Sequence, residues 1–243
     1  MMKTFSFFIR AGFNLKRIAN ILTVIVFAFS FNNAQAKKSH YSFEMLIGMS
    51  DAIVSGQISD VLGDTAYIFS ISETVKGKTA HQIKVKLFRE WICDVRWTKA
   101  VTGQQLFLFL KKDGSSYDII GGSDGEIFII DNQLRLVNIY SPNLKSPDFG
   151  RYFYEANYPE LNDVISSVRN FISCYLFTNT KDSPRTFRQI KTDEEISVLK
   201  NINSFSVWLF DRVTDEMHNY KIIKPSPDIV STNIVLRKAG RTK

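Results

Sequence analysis

Between Asp51 and Val137 the chain breaks into short apolar runs, each closed by a glycine or aspartate turn, and that cadence limits the fold more than any other feature. Asp51 to Ile58 has an extended pattern. Leu62-Gly63-Asp64 reads as a hairpin-type turn into a second strand, roughly Thr65 to Val75, which Lys76-Gly77-Lys78 closes. Ile83, Val85 and Leu87 alternate with Lys84 and Lys86, the period-2 mark of a strand with one buried face. Leu106 to Leu110 is unbroken in apolar character, as expected of a strand buried on both faces. Asp113-Gly114 turns it into Tyr117 to Ile120, and Ile127 to Ile130 and Leu134 to Val137 follow further turns. Strands this short, with turn signals roughly every ten residues, specify a barrel or a sandwich. Phe43, Leu46 and Ile47 place one short amphipathic helix before them.

After this the period changes. Residues 141–158 are a Pro- and Tyr-rich connector. Pro159 occupies a position tolerated in a first helical turn, and Leu161, Val164, Ile165, Val168, Phe171, Ile172 and Tyr175 form one stripe at helical spacing. Thr192-Asp-Glu-Glu195 is a capping box opening a second helix through Ile196, Leu199 and Ile202. Phe205 to Phe210 reads as extended, and the end of the chain is ragged and basic.

The first 36 residues have the form of an export signal. Lys3, Arg10, Lys16 and Arg17 lead, Ile21 to Phe31 carries no charge, and Ala34-Gln-Ala36 is the small-x-small pattern of a cleavage site. Counted from Ile18 the apolar core is about 14 residues, short of the roughly 20 that span a membrane. The expectation is cleavage before Lys37, a secreted or periplasmic product, and no stable membrane anchor. The chain's +7 charge then shrinks. The leader holds four of 31 basic residues and none of 24 acidic ones, leaving 27 − 24 = +3 on 243 − 36 = 207 residues. That is ordinary for a soluble domain and does not argue for nucleic acid as a partner.

No G-x-S-x-G, H-E-x-x-H, P-loop or G-x-G-x-x-G motif is present, so no catalytic residue, metal or cofactor is expected. His40, His81 and His218 are far apart in sequence. His81 with Asp94 is one acid–base reading, and separate surface histidines are the other. Cys93 and Cys174 are the two cysteines, and in an oxidising compartment an even pair invites a disulfide. It would close a loop of about 80 residues, for which the chain-entropy model gives about 4–4.5 kcal/mol. Two free buried thiols are the alternative. Trp91, Trp97, Tyr152 and Tyr154 are candidate binding residues because Trp and Tyr anchor interfaces. They can equally pack the barrel mouth against the helix. Gly121-Gly122-Ser123-Asp124-Gly125 fits an anion cradle or a tight turn, and Asp193-Glu194-Glu195 a cation site or the acidic start of a helix.

Residues 44–130 also carry an outline: Met49-Ser50-Asp51, Ile53-Val54-x-Gly56, Val75-Lys76-Gly77, Ile83-x-Val85, a Cys in an irregular segment, Gly103-x-x-Leu106-x-Leu108-Phe109-Leu110, and Gly122 to Gly125. This resembles secreted bacterial proteins with an OB-type barrel related to the tissue inhibitors of metalloproteinases and netrin-like domains. Those inhibitors chelate the protease zinc through a mature N-terminal Cys. Here the expected terminus is Lys37 and the first Cys is Cys93, so that mechanism does not carry over. The expected architecture is mostly β: an OB-like five-stranded barrel at 41–140, a connector at 141–158, a helical and mixed segment at 159–224 packed on the barrel, and a basic tail at 225–243. The expected role is an exported binding or interaction module for an unknown protein or small ligand. Inhibition of an extracellular hydrolase and an unrecognised enzyme activity are the alternatives.

Overall fold

A computed structural model describes residues 40–91, 94–136, 158–214 and 220–224. The chain divides into two units, Met1–Ser39 and His40–Lys243. The first, with the expected leader, lies outside the described residues, as do Cys93, residues 141–157, His218 and the tail 225–243.

The second unit begins with helix α1 (Phe43–Met49). Strands β1 (Ala52–Leu62) and β2 (Ala66–Lys76) form a long antiparallel hairpin about the expected Gly63 turn. The register slips between Ser55 and Gly56, where β2 crosses so closely that a Cβ on Gly56 would lie 2.1 Å from the Ser70 carbonyl oxygen. Only glycine lets the strands bend together there. β3 (Gln82–Lys86) continues the sheet antiparallel to β2. β4 (Gln105–Asp113) pairs antiparallel with both β1 and β5 (Ser116–Ile119), and β5 lies parallel to β3. The cycle β1-β2-β3-β5-β4-β1 is therefore closed, the strand order of an OB-like barrel. A single 3₁₀ turn (Gly122–Asp124) leads into β6 (Glu126–Ile130), which adds to β4, and β7 (Gln133–Leu134) adds to β6.

The unbroken apolar run of β4 divides as strand geometry requires. Leu106, Leu108 and Leu110 join Val54, Tyr67 and Phe69 in the barrel interior. Phe107 and Phe109 turn outward into a second core shared with the helices. That layer consists of α2 (Leu161–Cys174), β8 (Tyr175–Thr178), β9 (Thr186–Gln189), α3 (Asp193–Lys200), α4 (Ser204–Thr214) and β10 (Lys221–Ile223). β9 pairs antiparallel with β8 and parallel with β10. Phe43 locks the layers together, meeting Phe109 edge-on at 5.1 Å and Phe205 at 5.3 Å. Both geometries suit the aromatic quadrupole.

Three local readings change. Pro159 stands before the cap residue Glu160 and its carbonyl accepts from Leu134, so it joins the helix to β7 and does not open the first turn. The α2 stripe ends at Cys174, and Tyr175 starts β8. Phe205 to Phe210 is helical: Asn203 Oδ1 accepts from the Ser206 amide at 2.7 Å, and Phe205, Leu209, Phe210 and Val213 are buried along one face. Burial there overrides the β-propensity of the aromatic residues. The capping box at Thr192 forms as read, with both reciprocal bonds to Glu195.

Two long-range polar contacts hold α1. Lys76 Nζ donates to the carbonyls of Ile47 and Gly48 at 2.6 and 3.2 Å, satisfying the helix C-terminus, and its burial pushes its pKa down. Glu44, fully buried, accepts from Arg212 Nε at 2.6 Å and from the Tyr220 hydroxyl at 2.8 Å.

Candidate functional site

The irregular segment between β3 and β4 carries Trp91, Trp97 and Arg96. Such a segment stays in place only if its backbone and side chains find partners. Arg96 supplies them. Its guanidinium is buried and donates to both Glu126 oxygens, to the Thr98 carbonyl at 3.1 Å and to Gln104 Oε1 at 3.3 Å. Glu126, at the start of β6, also accepts from the Tyr67 hydroxyl at 3.0 Å. Burial and the Glu126 charge push the Tyr67 phenol well above its usual pKa. The ion pair and phenol thus clamp the segment onto the barrel end.

Trp97, the next residue, is 53% exposed and rests edge-on against Phe128, with ring centroids 5.4 Å apart. It stands between two depressions. One is a cavity of about 180 Å³ whose lining includes Arg96, Trp97, Glu126, Phe128 and Arg135. The other is an open groove of about 640 Å³ whose lining includes Trp97, Val101, Gln104, Phe128 and Ile130. Val101 and Ile130 are themselves exposed. The site is an apolar groove that shares Trp97 and Phe128 with a smaller pocket of mixed lining, where the charged groups Arg96, Glu126 and Arg135 lie.

A second polar cluster surrounds the glycine turn. The Ser123 amide and hydroxyl donate to Asp94 Oδ1 at 3.0 and 2.6 Å, so the turn holds the protein's own carboxylate. A Cβ on Gly122, whose φ is +60°, would lie 2.0 Å from Asp94 Oδ2. Asp124, nearly fully buried, accepts from the Tyr41 amide and from His40 Nδ1, both at 3.0 Å.

Of the residues named from sequence, the structure brings Trp97 to the groove. Trp91 pairs its backbone with Asp94 and lines neither depression. Tyr152 and Tyr154 lie outside the described residues. His81 is exposed at the start of β3 while Asp94 is buried against Ser123, so Asp94 serves the turn. Among the described residues Cys174 is a buried free thiol whose pKa burial pushes up, and Cys93, the other half of the expected pair, lies outside them. Asp193 pairs with Lys224 and Gln189, bonds that hold its carboxyl below the usual range. No group of three or more metal-ligating side chains occurs among the described residues. Arg96, Glu126 and Arg135 escaped the sequence reading. The one signal was Glu126 itself, a charge opening the apolar strand Glu126-Ile-Phe-Ile-Ile130. The chain matches no protein-family model, and no curated protein is significantly similar to it.

Proposed function

We propose that the protein is an exported binding module that takes an apolar ligand in the groove beside Trp97. The observation that carries this reading is a half-exposed tryptophan between two depressions, seated on a buried polar clamp. The indole packs one edge on Phe128 and leaves about half its surface in water, where a ligand can cover it. The Arg96–Glu126 pair holds it in a fixed position, which lowers the ordering cost of binding. The leader pattern ending at Ala36 supports export.

A neutral fluorescent probe, N-phenyl-1-naphthylamine, tests the groove. The wild-type protein should bind it with enhanced emission, and Trp97→Ala should weaken binding at least tenfold. A wild-type protein that leaves the probe dark, or a Trp97→Ala variant that binds as well, contradicts the reading. Mass spectrometry of the exported pool should find Lys37 as the first residue. A retained leader would contradict export as a free protein.

A further inference from the structure

We propose, building on the groove reading above, that the pocket holding Arg135 is the head-group site of an amphiphilic monocarboxylate whose apolar chain lies along Trp97, Val101 and Ile130. The two arginines lining this pocket differ. Every guanidinium nitrogen of Arg96 donates a hydrogen bond within the protein. Arg135 stacks on the Tyr158 ring at 4.3 Å, which fixes the plane of its guanidinium. Among the described residues no acceptor hydrogen-bonds that guanidinium. Among the described residues its ion-pair partner is Asp131, which is 3.9 Å away and 88% exposed, while Arg135 is 18% exposed. A planar fork of donors, held in place and shielded from water, is the group that recognises a carboxylate bidentately.

The acidic side chains of the same lining have their oxygens engaged. Glu126 accepts from Arg96 and Tyr67, and Asp124 from His40 and Tyr41. Among the described residues of this lining, Arg135 is the cation whose guanidinium no acceptor hydrogen-bonds. A monoanion matches it. A dianion would set its second charge against Asp124 and Glu126, with no further cation among the described residues of the lining to meet it. The cavity's roughly 180 Å³ leaves room for a carboxylate and its first carbons. The rest of the chain passes into the 640 Å³ groove, because Trp97 and Phe128 line both spaces. Each methylene buried there should tighten binding about fourfold.

Titration calorimetry of the full exported chain with octanoate, decanoate, 1-octanol and octyl phosphate tests this. Octanoate should bind at least tenfold tighter than 1-octanol, decanoate tighter than octanoate, and octyl phosphate no tighter than octanoate. Arg135→Gln should reduce octanoate to the level of 1-octanol and leave 1-octanol unchanged. Arg135→Lys keeps the charge without the fork, and serves if the first variant does not fold. It should weaken octanoate severalfold and spare 1-octanol. Equal wild-type binding of acid and alcohol, octanoate binding indifferent to both variants, or tighter octyl phosphate binding overturns the head-group site and leaves the groove reading standing. A wild-type protein that binds none of the four overturns both.

Discussion

Phe107 and Phe109 on one side of the barrel, and Trp97, Val101 and Ile130 on another, are apolar groups of similar size with opposite environments. The first pair is wholly buried: Phe109 meets Phe43 of α1, and both lie in one apolar core with Phe171 of α2 and Phe205 and Phe210 of α4. The second group faces solvent, although ordered elements surround it. The supports differ as well. The covered side is held by apolar contact, where burial itself stabilises. The open side is held by the buried Arg96–Glu126 pair, and buried ion pairs often stabilise no more than apolar residues of similar size would. A rigid ion pair beneath an uncovered indole suits a surface that must keep its shape while waiting for a partner.

The largest expected effect breaks the covered side. Val168 is fully buried in the core shared by barrel and helices, so Val168→Asp places a charge there without a counter-ion. Stability should fall by about 4 kcal/mol or more. In a Trp208→Phe background, tryptophan fluorescence reports the barrel segment, since Trp208 belongs to α4. It should lose its signal at the same denaturant concentration as the helical circular dichroism. A barrel that keeps its wild-type midpoint would mean that the two cores are independent.

The open side has its own weak point. Glu126→Ala leaves Arg96 buried without its carboxylate, and urea unfolding should register a loss of about 3 kcal/mol. If Arg96→Met together with Glu126→Leu recovers most of that loss but not probe binding, the pair serves position more than stability. Tyr67→Phe should remove about 1 kcal/mol, because Glu126 keeps its Arg96 bonds.

The same tyrosine gives an alkaline signature. Burial raises the phenol pKa values of Tyr67 and Tyr220, and of Tyr175 to about 12. Between the unfolded value near 10 and these folded values, the native state holds protons that the unfolded chain has released. The stability they contribute is complete below about pH 10 and is lost as pH rises beyond it. Lys76, lowered by burial, acts in the opposite sense below its ordinary 10.5. Unfolding free energy measured from pH 9 to 12 should therefore decline, and less steeply in Tyr67→Phe. The smallest effect expected is that of Trp97→Ala on stability, within about 0.5 kcal/mol, since the side chain is half-exposed. A larger loss in urea would make Trp97 part of the core and dissolve the contrast between the two sides.

The barrel was legible because its turns and alternation are local signals. Gly63, Gly114 and the lysines of β3 mark strand ends and faces within a few residues. The helical layer was legible where caps and stripes agree, as at Thr192. It was misread at Phe205 to Phe210, where the side chains favour a strand and only contact with α1 and α2 makes a helix. The β8–β9 pair was missed because Tyr175 continues the α2 spacing by one more step. Trp97 stood out as an aromatic residue in a loop. Arg96 and Glu126 are 30 residues apart, and nothing in a linear pattern joins them.

The clasp on Glu44 has a consequence for how the chain is made. Its partners Arg212 and Tyr220 follow it by 168 and 176 residues, so nearly the whole unit must emerge before the first helix finds its closing contacts. The β1–β2 hairpin can pair as soon as it is synthesised and brings Lys76 to the C-terminus of α1, but the Glu44 clasp waits for Arg212 and Tyr220. Contacts this remote in sequence slow folding, because a large loop must close before they reward it. A polypeptide released vectorially, one end first, would hold Glu44 of α1 without its partners until those segments arrive, and a chain cut short before residue 212 would carry a core carboxylate with neither partner to receive it.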